Sequence, residues 1–86
     1  MLVDILQRIS RDFAESDRQA VTRALEMYRG AEPDRVRRCI LHLAGGGLVK
    51  IRHFVNAANS DYRDVIYWAE YDNDDRRVRD FSRPFE

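Results

Sequence analysis

The stretch Gly47–Tyr71, GLVKIRHFVNAANSDYRDVIYWAEY, decides how the rest of the chain folds. It holds the only tryptophan and three of the four tyrosines. In its first half Leu48, Ile51, Phe54, Val55 and Ala58 recur at the spacing of one helix face, with Lys50, Arg52, His53, Asn56 and Asn59 behind them. Strand alternation fails there, because Phe54 and Val55 are adjacent and Leu48, Ile51 and Phe54 would point to opposite faces. The second half is less clear-cut. Val65-Ile66-Tyr67-Trp68 is β-branched and aromatic, the composition of a strand. Wound as a helix, it puts Tyr62, Val65, Ile66 and Ala69 on one face with Trp68 at the edge. Asn59-Ser60-Asp61 then supplies an N-cap and an acidic first turn. We read both halves as helix. The alternative pairs residues 48–56 with 64–71 as a β-hairpin and makes the protein an α+β winged helix. That choice changes the functional expectation.

Working outward, the upstream segments carry the same helical spacing. Leu2, Ile5, Leu6, Ile9 and Phe13 form an apolar stripe, with Asp4, Gln7, Arg8, Arg11 and Asp12 opposite. Ser16 and Gln19 fit a capping box at the start of a second helix that buries Val21, Ala24, Leu25 and Tyr28. Gly30 ends it. Pro33 suits the first turn of a third helix, which turns Val36, Ile40, Leu41, Leu43 and Ala44 inward and Arg35, Arg37 and Arg38 outward. Gly45-Gly46-Gly47 must end it, since glycine in a helix interior costs about 1 kcal/mol relative to alanine. The expected fold is all-α: a bundle of about five short helices at 2–13, 17–29, 33–44, 47–59 and 61–71. The expected core is Ile5, Ile9, Val21, Leu25, Val36, Ile40, Leu43, Leu48, Ile51, Val55, Val65, Ile66 and Ala69, with Trp68 covering its edge. Residues 1–73 make one helical domain. Residues 74–86 show no period and read as an irregular or partly disordered tail, which Phe81 and Phe85 could pin to the core or to a neighbour.

Composition bounds the function. Hydrophobic residues are 44% and charged residues 35%, an ordinary globular balance. Fifteen cations meet fifteen acids, so no whole-molecule field draws the chain to nucleic acid or membrane. One cysteine allows no internal disulfide and fits a reducing compartment, so a cytoplasmic location is expected. Asp4 interrupts the first apolar run and no basic leader precedes it, so no signal peptide is expected. No run reaches the length of a membrane span. Charge is segregated along the chain. Residues 29–53 carry six cations against two acids, and residues 60–75 carry six acids against one cation.

No set of residues spells out a reaction. The triple glycine lacks the Lys-Ser/Thr pair that a P-loop needs. Cys39, His42 and His53 offer three metal ligands where a structural zinc needs four. Cys39 packs like a small apolar residue, so no nucleophilic pair is expected. Asp61 and Asp64 lie one turn apart, but acids at a helix start are stabilised by the dipole without any function. We therefore expect no enzyme, no cofactor and no metal. Arg63 and Trp68, with Tyr62, are the residue types that anchor protein interfaces. Together with Arg35 and Arg38 they are the candidate partner-binding residues. The leading expectation is a non-enzymatic protein-interaction module, with a protein partner or a second copy of the chain bound. The alternative is a DNA-binding helix-turn-helix or winged helix, in which Arg35, Arg37 and Arg38 lie on the recognition helix.

The run Arg35–Tyr71, above all Asp61-Tyr62-Arg63-Asp64-Val65-Ile66-Tyr67-Trp68-Ala69-Glu70-Tyr71, resembles a group of small uncharacterised bacterial proteins with a D-Y-R-D-V-x-x-W-A-E-Y-like segment. The resemblance spans a little under half the chain. It implies a bacterial, cytosolic setting and a helical fold, and assigns no site.

Overall fold

The computed structural model describes residues 1–85; residue 86, the end of the expected tail, lies outside the described residues. Four helices follow in order: α1 (Val3–Asp12), α2 (Glu15–Glu26), α3 (Pro33–Ala44) and α4 (Leu48–Glu70). The described residues contain no β-strand. The chain is all-α, and the hairpin expected of a winged helix is absent from 48–71. The apolar face of that stretch repeats at 3.6 residues, and it packs along α3, the largest helix–helix contact of the molecule.

The expected count of five helices is corrected to four. The predicted fourth and fifth helices form one element, α4, bent at Asp61. Asp61 has extended backbone (φ −155°, ψ 102°). Its carboxylate accepts the Arg63 backbone N–H at 3.1 Å. That is the bond an N-cap makes, so Asp61 caps the second half of α4 from within the same element. The capping box expected at Ser16 does not form. α2 begins at Glu15 behind Ala14 and has no side-chain cap, and Ser16 is exposed in its first turn.

Two glycines between α3 and α4 do what the sequence required. Gly45 and Gly46 stand at φ +54° and +88°, a region that a Cβ disfavours. At Gly46 a Cβ would also lie 3.0 Å from the carbonyl oxygen of Asp12 at the end of α1. The turn is therefore tight enough to fold α4 back against α3.

The core joins Ile5, Ile9 and Phe13 of the N-terminal segment to Val21, Leu25 and Tyr28, to Val36, Cys39, Ile40, Leu41 and Ala44, and to Ile51, Val55, Ala58, Val65, Ile66 and Ala69. Each fully buried aliphatic side chain contributes roughly 1.5–3 kcal/mol. Leu43 and Leu48, expected at the centre, are only partly buried and pack at its edge. Trp68 is 48% exposed. At the core edge its ring packs against Phe54, centroids 6.3 Å apart.

The larger correction concerns charge. Arg35 and Arg38 were expected to face outward, and both turn inward. Arg38 is 3% exposed and Glu70 is fully buried. Arg38 binds Asp4 of α1 at 2.8 and 3.2 Å. Arg35 binds Glu70 at the end of α4 at 2.9 and 2.6 Å. Buried charge is tolerated only when paired and hydrogen-bonded, and here the two pairs bolt α3 to α1 and to α4.

Beyond α4 the chain turns at 72–76 and runs back over the helices without forming one. Tyr71 and Arg77 make a single antiparallel bridge. Both pairs then reach the returning segment. Glu70 accepts the Phe81 N–H at 3.0 Å, Arg38 donates to the Phe81 carbonyl at 3.1 Å, and Asp4 accepts the Phe85 N–H at 3.1 Å. Phe81 and Phe85 pack on the core.

Candidate functional site

The second half of α4 brings together three of the five candidate residues. Arg63, Tyr67 and Tyr71 recur every four residues and so form one stripe. Asp64 and Trp68 form the next. Tyr67 is 45% exposed and Trp68 48%. The Tyr67 and Tyr71 rings stack at 5.1 Å. Tyr67 also donates its hydroxyl to Asp75 in the turn beyond the helix. Val78 is half-exposed on the returning segment. Arg63 is held by Asp61 at 3.0 and 3.2 Å. That pair is in open solvent, where such contacts contribute little to stability. Its effect is to aim the guanidinium.

The bend at Asp61 opens a cleft of about 450 Å³ between Tyr28 and Gly30 on one side and Asn59–Arg63 on the other. Tyr62 is half-buried at its wall. Tyr28 closes the floor and donates to the Ala31 carbonyl at 2.6 Å. Burial, then the neighbouring Tyr62 and Glu32, raise its pKa, so the phenol stays protonated.

Arg35 and Arg38, the other two candidates, are not on this surface. Arg35 belongs to the Glu70 pair and also reaches Glu32 at 3.1 Å. Arg37 donates to the carbonyls of Leu25 and Tyr28, both at 3.1 Å. All three guanidiniums of the would-be recognition helix are thus engaged within the fold.

The polar network around Glu70 and Asp4 escaped sequence reasoning as a site. Burial alone would push the Glu70 carboxyl up; the Arg35 hydrogen bonds, the Phe81 N–H and the charges of Arg35 and Arg77 outweigh it and hold it below its ordinary value. The Arg38 hydrogen bond does the same for Asp4, against a smaller opposing effect of burial. A signal was available for one of the two. Glu70 follows Ile66 by four residues and so shares its apolar face, whereas Asp4 lies opposite the Leu2, Ile5 and Ile9 stripe and gave no such signal.

The residues weighed for metal or nucleophilic chemistry are separated. Cys39 is fully buried, and burial pushes its thiol up to about 12, far from a reactive thiolate. His42 packs against Phe81, ring centroids 5.2 Å apart and planes tilted by 40°. Burial, then Arg79 and Arg8, lower its pKa. His53 is exposed beside Phe54. Among the described residues no three His, Cys, Asp or Glu side chains converge on one point, and no helix is long and apolar enough to cross a membrane.

No family model, no curated protein and no solved structure matches this chain.

Proposed function

We propose that this protein is a non-enzymatic protein-interaction module and that the outer face of α4 beyond Asp61 is its contact surface. One observation carries the reading: Tyr67 and Trp68 stand side by side, each about half exposed, on a helix whose opposite face is core. Tryptophan, tyrosine and arginine are the residue types that dominate interface energetics. The surroundings set the partner's chemistry. Asp64 lies one turn before Trp68, and Asp74 and Asp75 are exposed beyond it. A protein surface with an apolar pocket rimmed by lysine or arginine complements this face. The cytoplasm of a bacterial cell is the setting we propose, from the reduced cysteine and the resemblance of the 61–71 segment.

The test is a photo-crosslinking residue at position 67, with a control at Arg23 on α2. A partner trapped from position 67 and not from 23 is then purified and titrated against Trp68→Ala. A 10- to 100-fold weakening is expected, roughly the 2 kcal/mol scale of an interface anchor. Unchanged affinity, or the same adducts from both positions, overturns the reading. For the DNA-binding alternative, fluorescence anisotropy with duplex DNA at low salt is expected to stay flat, because Arg35, Arg37 and Arg38 are internally bound.

A further inference from the structure

Residues 77–85 form a strap held to the helices through both its backbone and its side chains. The Glu70 carbonyl accepts the N–H groups of Val78 and Arg79 at 2.7 and 3.2 Å. The Glu70 carboxylate takes the Phe81 N–H, Arg38 takes the Phe81 carbonyl and Asp4 takes the Phe85 N–H. Four strap side chains add to this: Arg77 donates to the Glu70 carboxylate at 3.1 Å, Arg79 donates to the Ala69 carbonyl at 3.4 Å, and Phe81 and Phe85 turn toward the helices. Phe81 packs against His42 with the rings tilted, and Phe85 lies 4.4 Å under the Arg8 guanidinium. None of these contacts requires strap and helices to belong to one chain.

What closes the strap onto its own helices is the turn at 72–76. Asp72 donates to the Arg76 carbonyl at 2.9 Å, and Asp75 donates to the Asp72 carbonyl at 3.1 Å. Asp75 stands at φ +59°, the left-handed region, which aspartate enters more readily than most L residues but still at some cost. An extended linker carries no such cost, but it gives up the N–H groups of Asp74 and Arg76 that the Asp72 carboxylate accepts at 2.9 and 3.0 Å. A short strained turn that folds a segment onto its own body is the arrangement from which copies exchange segments.

We propose that the groove between α1, α3 and the end of α4 takes the 77–85 strap of a second copy, giving a reciprocal strap-exchanged dimer. The exchanged contacts repeat those of the monomer. The balance between the two forms is therefore set by the backbone cost that the two turns release and the hydrogen bonds they give up to water, against the entropy lost on association. Opening the turn also frees the Tyr67 hydroxyl from Asp75, so exchange alters the rim of the α4 face without covering it. The proposal is independent of what that face binds.

The test is sedimentation of the full-length chain across a concentration series, comparing wild type with Asp75→Pro and Asp75→Gly. Proline locks φ near −65° and lacks the N–H that Asp72 accepts, so the closed turn cannot form. Glycine adopts the left-handed turn without the Cβ penalty. Asp75→Pro is expected to raise the dimerisation constant at least roughly tenfold, and Asp75→Gly to lower it severalfold. In a mixed-isotope dimer of Asp75→Pro, the Phe85 ring of one copy is expected to show NOEs to α1 of the other. Adding Phe81→Ala and Phe85→Ala is expected to return it to monomer. A monomeric Asp75→Pro with a protease-sensitive strap overturns the proposal, as does a dimer that survives loss of both phenylalanines. If Asp75→Pro does not fold, equal dimerisation constants for Asp75→Gly and wild type overturn it.

Discussion

Replacing Glu70 by glutamine keeps the shape of the side chain and removes its charge, and the structure gives the cost. One carboxylate oxygen accepts from Arg35 at 2.6 Å and from Arg77 at 3.1 Å. The other accepts from Arg35 at 2.9 Å and from the Phe81 N–H at 3.0 Å. Either orientation of the new amide therefore points its NH₂ at two donors. Removing one partner of a buried ion pair costs about 3–5 kcal/mol. The Arg35 side chain is 21% exposed and can recover some hydration, which places Glu70→Gln at the lower end, about 3 kcal/mol. A chain of this size has roughly 4–13 kcal/mol in total, so the variant sits near the edge of folding. Urea unfolding followed by circular dichroism measures the loss directly. In a thermal scan the midpoint should fall by roughly 12–24 °C. A loss under about 1 kcal/mol would refute the reasoning, because it would mean the carboxylate is solvated and the Arg35 pair is a surface contact.

Acid should act on the same bolts. The folded-state pKa values of Asp4 and Glu70 lie below their ordinary values of 3.8 and 4.5. Their contribution is therefore fully present above those values and is lost as pH falls through the lower, folded ones. Wild-type stability from urea titrations should fall below about pH 4, and Glu70→Gln should fall less steeply. Gly46→Ala combines a left-handed backbone with a Cβ pressed on the Asp12 carbonyl, and should cost about 2 kcal/mol in the same titrations. Cys39 should resist a thiol reagent in the native state and react only as fast as the chain unfolds, because the thiol is buried and protonated.

Much of the fold was legible because periodicity reports burial. Ile5 and Ile9, Val36 and Ile40, Ile51 and Val55 all repeat at helical spacing, and all are buried. The β-branched run at 65–68 did not mislead, since Val65, Ile66 and Ala69 share a helical face whatever their strand propensity. The break at 59–61 was visible as a capping sequence, and the two helical halves of α4 do meet there at the extended Asp61. The arginines were misplaced for a physical reason. A guanidinium reads as surface until its carboxylate is known, and the partners of Arg38 and Arg35 lie 34 and 35 residues away. Phe81 and Phe85 stood out in the tail, but nothing local indicated that the buried Glu70 and the part-buried Asp4 would accept their amides. Of the candidate site, Tyr62, Arg63 and Trp68 fall on one half-helix because they are close in sequence. Arg35 and Arg38 were joined to them only by residue type.

The account turns on the strap being part of the fold through Glu70, Arg38 and Asp4. Amide hydrogen exchange at Phe81 and Phe85 tests this most directly. Both N–H groups donate to carboxylates beside the core, so their exchange should be slowed together with that of α3 and α4, and should accelerate selectively at Phe81 in Glu70→Gln. Exchange of both amides at the rate of a free peptide, while α3 and α4 remain protected, would contradict it.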